Sequence, residues 1–126
     1  MFEAKAIMKT DVITVKTHTP ICQVIELLLK NNITGLPVVN DDMTLAGIIS
    51  EKDVLSLMFD LKETTAKVED FMTTSVVSFE QDEDLIAICE CLIKSHFRRV
   101  PIVAKGKLVG IISRKDIIKY ILEPIG

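Results

Sequence analysis

Aromatic residues are scarce: the 126-residue chain has no tryptophan, one tyrosine and five phenylalanines. So few rings cannot build the stacking platforms that hold single-stranded nucleic acid. Excess positive charge is missing too. Fifteen Lys+Arg against 18 Asp+Glu leave a formal net charge of −3, whereas a nucleic-acid-binding domain is normally basic. No apolar run approaches the roughly 20 residues of a membrane helix. The start, Met1-Phe2-Glu3-Ala4-Lys5, carries an early acid and leads into no long apolar stretch, unlike a signal peptide. A cytoplasmic chain with neither nucleic-acid nor membrane partner is expected.

Reactive side chains are equally sparse. Three cysteines, Cys22, Cys89 and Cys91, show no metal or redox spacing, and their odd number suggests no disulfide framework. Buried thiols are expected. Two histidines, His18 and His96, supply no multi-histidine metal site. Gly-x-Ser-x-Gly, the Walker loop and GxGxxG are all absent. Neither an enzyme nor a required cofactor is expected.

What is present is apolar and repetitive. Hydrophobic residues make up 48% and charged residues 26% of the chain, as in a globular protein. The length predicts one compact domain, or two very small ones sharing a core. Mean hydropathy, +0.36, is high for so short a chain and suggests apolar surface that meets a partner.

The sequence matches itself at an offset of 64 residues. Met8, Thr10, Val12, Glu26, Leu28, Lys30, Pro37 and Val39 fall on Met72, Thr74, Val76, Glu90, Leu92, Lys94, Pro101 and Val103. After a one-residue deletion near Lys105-Gly106-Lys107 the offset becomes 63. Gly47-Ile-Ile-Ser50-Glu-Lys-Asp53 then falls on Gly110-Ile-Ile-Ser113-Arg-Lys-Asp116. Two homologous repeats, 1–60 and 61–126, are joined around 60–65.

Each repeat reads strand, helix, strand, strand, helix. Val12–Val15 and Val76–Phe79 are short β-branched runs expected as strands. Ile21, Val24, Ile25 and Leu28 form one helical face behind Pro20, and Leu85, Ile88, Cys89 and Leu92 repeat it. Leu36–Val39 and Val100–Val103 are strands ending in turn residues. Ala46–Ile49 and Gly110–Ile112 are strands leading into helices from Glu51 to about Phe59 and from Arg114 to about Leu122. Leu27, Leu29, Cys22, Ile86 and Ile93 lie off the main helical faces. Such helices are expected to be covered on several sides, which predicts a homodimer with helices at its interface.

Two segments carry possible chemistry. Ser50 and Asp53, like Ser113 and Asp116, have the spacing of a helix capping box. Lys52 and Lys115 oppose the helix dipole at a cost of a few tenths of a kcal/mol, which a cap alone leaves unexplained. A helix start with free N–H groups, a hydroxyl and an ammonium suits a phosphate, and an Asp beside it suits a vicinal diol. Cap and ligand site remain equally open. Arg98 and Arg99 form either a solvated turn or a phosphate clamp. Their counterparts Thr34 and Gly35 carry no charge, so any phosphate recognition is lopsided.

The duplicated order Met-x-Thr-x-Val, Pro-x-Val, Gly-Ile-Ile-Ser-x-Lys-Asp resembles a pair of CBS domains, a Bateman module, over nearly the whole chain. The resemblance implies an α/β (α+β) fold. Its two pseudo-twofold related β-α-β-β-α repeats would pack through their sheets, with two clefts between them. It also implies a non-catalytic sensor of AMP, ADP, ATP or S-adenosylmethionine that regulates a protein partner. Carried over, one site would use Ile49, Ser50, Lys52 and Asp53 with Ser75, Val76, Val77, Arg98, Arg99 and Pro101. The other would use Ile112, Ser113, Lys115 and Asp116 with Thr10, Val12, Ile13, Thr34, Gly35 and Pro37. The arginines favour the first set for phosphate nucleotides, and the second, lacking them, is expected to take an uncharged adenosyl group or stay empty. The rival reading is a dimerisation scaffold with unoccupied clefts.

Overall fold

The computed structural model describes residues 2–59 and 65–125. The expected joint at 60–65 therefore lies, apart from Thr65, outside the described residues. The chain divides into two compact units. One, here the central unit from its place in the sequence, is Ile13–Val76. The other, the terminal unit, is Met1–Val12 with Val77–Gly126.

The central unit contains β1 (Val15–Lys16), α1 (Ile21–Asn31), β2 (Gly35–Val39), β3 (Leu45–Ser50), α2 (Glu51–Leu55) and α3 (Val68–Phe71). A 3₁₀ turn, Ser56–Phe59, continues α2. The sheet order is β1-β2-β3, with β1 parallel and β3 antiparallel to β2. Ile21, Val24 and Leu28 turn the inner face of α1 onto Leu36, Val38 and Ile49, and Ala66 and Val68 complete this core. Asn32 ends α1 in the left-handed region and its N–H donates to the Leu28 and Leu29 carbonyls. Pro37 is tolerated in β2 because β1 pairs only with Val38 and Val39.

The terminal unit repeats the plan: a 3₁₀ turn (Ala4–Ala6), β4 (Phe79–Glu80), α4 (Leu85–Lys94), β5 (Arg99–Ala104), β6 (Lys107–Ser113) and α5 (Arg114–Ile125). Its sheet order is β4-β5-β6. Its core gathers Ala4, Leu85, Ile88, Leu92, Val100, Ile102, Ile112 and Ile117. Lys105 and Gly106, both at positive φ, make the tight turn between β5 and β6.

Three sequence expectations are corrected. The first strands are shorter and later than Val12–Val15 and Val76–Phe79, because ladder pairing with β2 and β5 starts only at Val15 and Phe79. Each repeat also opens with a helical turn, Ala4–Ala6 or Val68–Phe71, too short for periodicity to reveal. Cys22 is exposed, since it lies off the Ile21–Val24–Leu28 face; Cys89 and Cys91 are half-buried, and all three thiols are free. On the outer sides of the helices Leu29, Ile86 and Ile93 are exposed as well. Among the described residues no helix is long and apolar enough to cross a membrane.

Repeats and units are different partitions. Each unit takes its opening segment from the other sequence repeat: Ala4 enters the core built by the second repeat, and Ala66 and Val68 that built by the first. Equivalent hydrogen bonds dock them. The Ile21 N–H donates to the Ala66 carbonyl (2.9 Å), and the Leu85 N–H to the Phe2 carbonyl (3.0 Å).

Candidate functional site

The end of β3 leads directly into α2, so Ser50 is at once the last strand residue and the helix N-cap. Its Oγ accepts the Asp53 N–H at 3.3 Å, while Asp53 Oδ2 accepts the Ser50 N–H at 2.9 Å and the Ser50 hydroxyl at 3.1 Å. Ser113 and Asp116 do the same at the start of α5, at 3.2, 2.8 and 2.9 Å. The capping box is formed in both units. The first helical N–H is also taken: that of Glu51 by the Thr34 carbonyl (2.9 Å) and that of Arg114 by the Arg98 carbonyl (3.0 Å). Two of the first three N–H groups of each helix are thus occupied, which corrects the expectation of a cradle of free donors. Lys52 and Lys115 are exposed.

With Oδ2 anchored, each carboxylate has Oδ1 left to meet something else, and here sequence reasoning missed two residues. In the central unit a bridge between Ile48 and Thr73 (N–H to O, 2.9 and 2.8 Å) lays the Met72–Thr74 segment along β3. Thr73 Oγ1 then lies 3.3 and 3.4 Å from the two Asp53 oxygens. In the terminal unit a bridge between Lys9 and Ile111 (2.9 Å in both directions) lays Met8–Thr10 along β6. Lys9 Nζ lies 3.4 Å from Asp116 Oδ1. The Asp116 side chain is only 6% exposed, that of Lys9 62%. The clue was a mismatch inside matching motifs, Met8-Lys9-Thr10 against Met72-Thr73-Thr74.

Gly47 and Gly110 make these approaches possible. A Cβ on Gly47 would stand 2.5 Å from the Thr73 carbonyl oxygen. One on Gly110 would stand 2.6 Å from Met8 Sδ and 2.9 Å from the Lys9 carbonyl oxygen. The repeated glycine is a docking requirement.

The residues expected at the first site fall into both units: Ile49, Ser50, Lys52, Asp53, Ser75 and Val76 in the central one, Val77, Arg98, Arg99 and Pro101 in the terminal one. For the second, Ile112, Ser113, Lys115, Asp116, Thr10 and Val12 lie in the terminal unit and Ile13, Thr34, Gly35 and Pro37 in the central one. Gly35 sits opposite Ser50 in the β2–β3 register, and Arg99 opposite Ser113 in β5–β6. That register sets the half-buried Arg99 within electrostatic reach of Asp116. Burial lowers the Arg99 pKa, Arg98 adds to this, and the Asp116 carboxylate works the other way. No group of residues suited to a metal ion occurs among the described residues.

Comparison with known proteins decides the family. The CBS domain model matches residues 4–60 and 68–123. The chain belongs to the CBS domain family. This CBS pair is 35% identical over 117 residues to the uncharacterized protein MJ1225 of Methanocaldococcus jannaschii, covering 93% of the chain and 42% of that relative. The chain spans less than two-thirds of the other first curated relatives as well. Among solved structures, CBSX2 from Arabidopsis thaliana in complex with AMP matches with a TM-score of 0.90 and 30% identity, covering 100% of both chains. The CBS domain pair of protein MJ0100, solved with 5-methylthioadenosine and S-adenosyl-L-methionine, matches with a TM-score of 0.80 and 26% identity, covering 98% of each. The mixed α/β fold with two three-stranded sheets is that of CBS pairs.

Proposed function

We propose that this CBS pair is a non-catalytic regulatory module that binds an adenosyl ligand: AMP, ADP, ATP or S-adenosylmethionine. One observation carries the reading. Each unit holds a carboxylate by one oxygen in a capping box and leaves its second oxygen beyond the cap. An acceptor fixed in this way suits the vicinal hydroxyls of a ribose. The AMP, methylthioadenosine and S-adenosylmethionine complexes of similar CBS pairs support the same ligand class. Binding would act by favouring one arrangement of the protein over another, with the output passed to a partner protein or to further parts of a longer chain.

A second reading is an interaction scaffold, favoured by the fact that the caps account for both Ser–Asp pairs without a ligand. The two readings share a homodimer, supported by exposed Leu29, Ile86, Ile93, Leu55, Met58 and Phe59, the last 94% exposed. Thermal unfolding with a panel of these ligands separates them. A ligand that binds only the folded state stabilises it by about 2.7 kcal/mol at 100 times its Kd. A panel without any shift leaves the scaffold. Native mass spectrometry of the same preparation reads the dimer against the 14.1 kDa chain, and a monomer throughout sinks the shared interface.

A further inference from the structure

Resting on the adenosyl-binding reading, and against the expectation that the Asp116 set takes an uncharged adenosyl group, we propose that Lys9 is a specificity-determining residue, a displaceable cation that makes the Asp116 site select phosphate-bearing nucleotides over neutral nucleosides. Asp116 Oδ2 already accepts two hydrogen bonds from Ser113, and Oδ1 is held by the Lys9 ammonium at 3.4 Å. Lys9 takes one of the two acceptor places on Oδ1, so a ribose diol that uses both must move it aside. A neutral nucleoside offers the displaced ammonium nothing in return. A phosphate replaces the lost carboxylate with another anion, and the solvent-exposed Lys9 stem is free to swing towards it. Asp53 has no such competitor. Its partner at the equivalent position is the neutral Thr73 hydroxyl, a rotor that can turn and accept instead of donate.

The test uses full-length protein with Asp53→Ala, which removes the other carboxylate, and measures AMP and adenosine binding by calorimetry. Lys9→Thr, copying position 73, is added to it. Backbone bonds from residue 9 to Ile111 survive this change, and Lys9→Gln serves as a second variant. The AMP-to-adenosine affinity ratio is expected to fall about five- to tenfold, the range for a partly screened charge-assisted contact. Thr73→Lys in an Asp116→Ala protein should raise that ratio. An unchanged ratio in both Lys9 variants overturns the proposal and leaves adenosyl binding standing. So does an Asp53→Ala protein that binds neither ligand while the unsubstituted protein binds both. If the unsubstituted protein binds no adenosyl ligand at all, the functional reading falls first and this one with it.

Discussion

The two units present the same carboxylate in the same cap and then treat it differently. Asp53 is half-buried and meets a neutral hydroxyl, whereas Asp116 is buried and meets an ammonium, with a guanidinium in electrostatic range. Backbone geometry is shared because it rests on Gly47 and Gly110, on Ser50 and Ser113, and on two equivalent bridges. Electrical character diverges because it rests on the side chains at positions 9, 73 and 99. Duplication has preserved the scaffold and left the charge at the site free to change.

The harshest way to break this comparison is at the glycines. Gly47→Ala puts its methyl against the Thr73 carbonyl, a backbone atom 2.5 Å away. Gly110→Ala meets mostly the flexible tip of Met8, with the Lys9 carbonyl at 2.9 Å. Overpacking of this kind costs about 1–3 kcal/mol; we expect Gly47→Ala at the upper end and Gly110→Ala at the lower. Urea unfolding checks the order. A larger loss at Gly110 shows that the terminal unit is the tighter of the two.

Asparagine at the two caps sharpens the electrical half. It keeps one acceptor oxygen for the serine N–H and, with the charge, replaces the other oxygen by an NH2 donor. Asp116→Asn takes the carboxylate away from the Lys9 ammonium and removes one favourable charge from the half-buried Arg99; Asp53→Asn strands no cation. About 1–2 kcal/mol is expected at Asp116 and about 0.5 kcal/mol at Asp53, with the pair discounted for Lys9 exposure. Equal losses in thermal unfolding remove the asymmetry on which the Lys9 inference stands.

The duplicated plan was legible in the sequence because strand and helix signals recur at fixed offsets, and Gly-Ile-Ile-Ser-x-Lys-Asp marks a strand running into a capped helix. Pairing of segments was not. Self-matching shows that Met8–Val12 resembles Met72–Val76, yet it is silent on which sheet either one joins. Only the bridges to Ile111 and Ile48 reveal that each repeat lends its opening segment to the other unit's sheet. Lys9 and Thr73 were passed over for this reason. The arginines were read by their charge alone, whereas the β5–β6 register also ties Arg99 to Asp116 within its own unit.

The smallest contrast lies where the borrowed segments dock. In the terminal unit Lys5 Nζ reaches Asp82 Oδ1 and Glu3 Oε2, both at 3.2 Å. Their counterparts 64 residues away are Glu69, His18 and Lys67, opposite or nearly opposite in charge, and no ion pair joins these three among the described residues. The Asp82 and Glu3 carboxylates raise the Lys5 pKa above its ordinary 10.5. A raised amine stabilises the fold while it is protonated, so the contribution is complete below about 10.5 and disappears as pH climbs through the higher folded value. Lys5→Gln should therefore lower Tm by a small constant amount from neutral pH upwards, and the gap to the unsubstituted protein should close only in strong alkali. Glu69→Gln should leave Tm where it is. Solvent around the exposed Lys5 side chain keeps its effect slight, and a Lys5→Gln gap that already closes near neutral pH rules out the amine as its source.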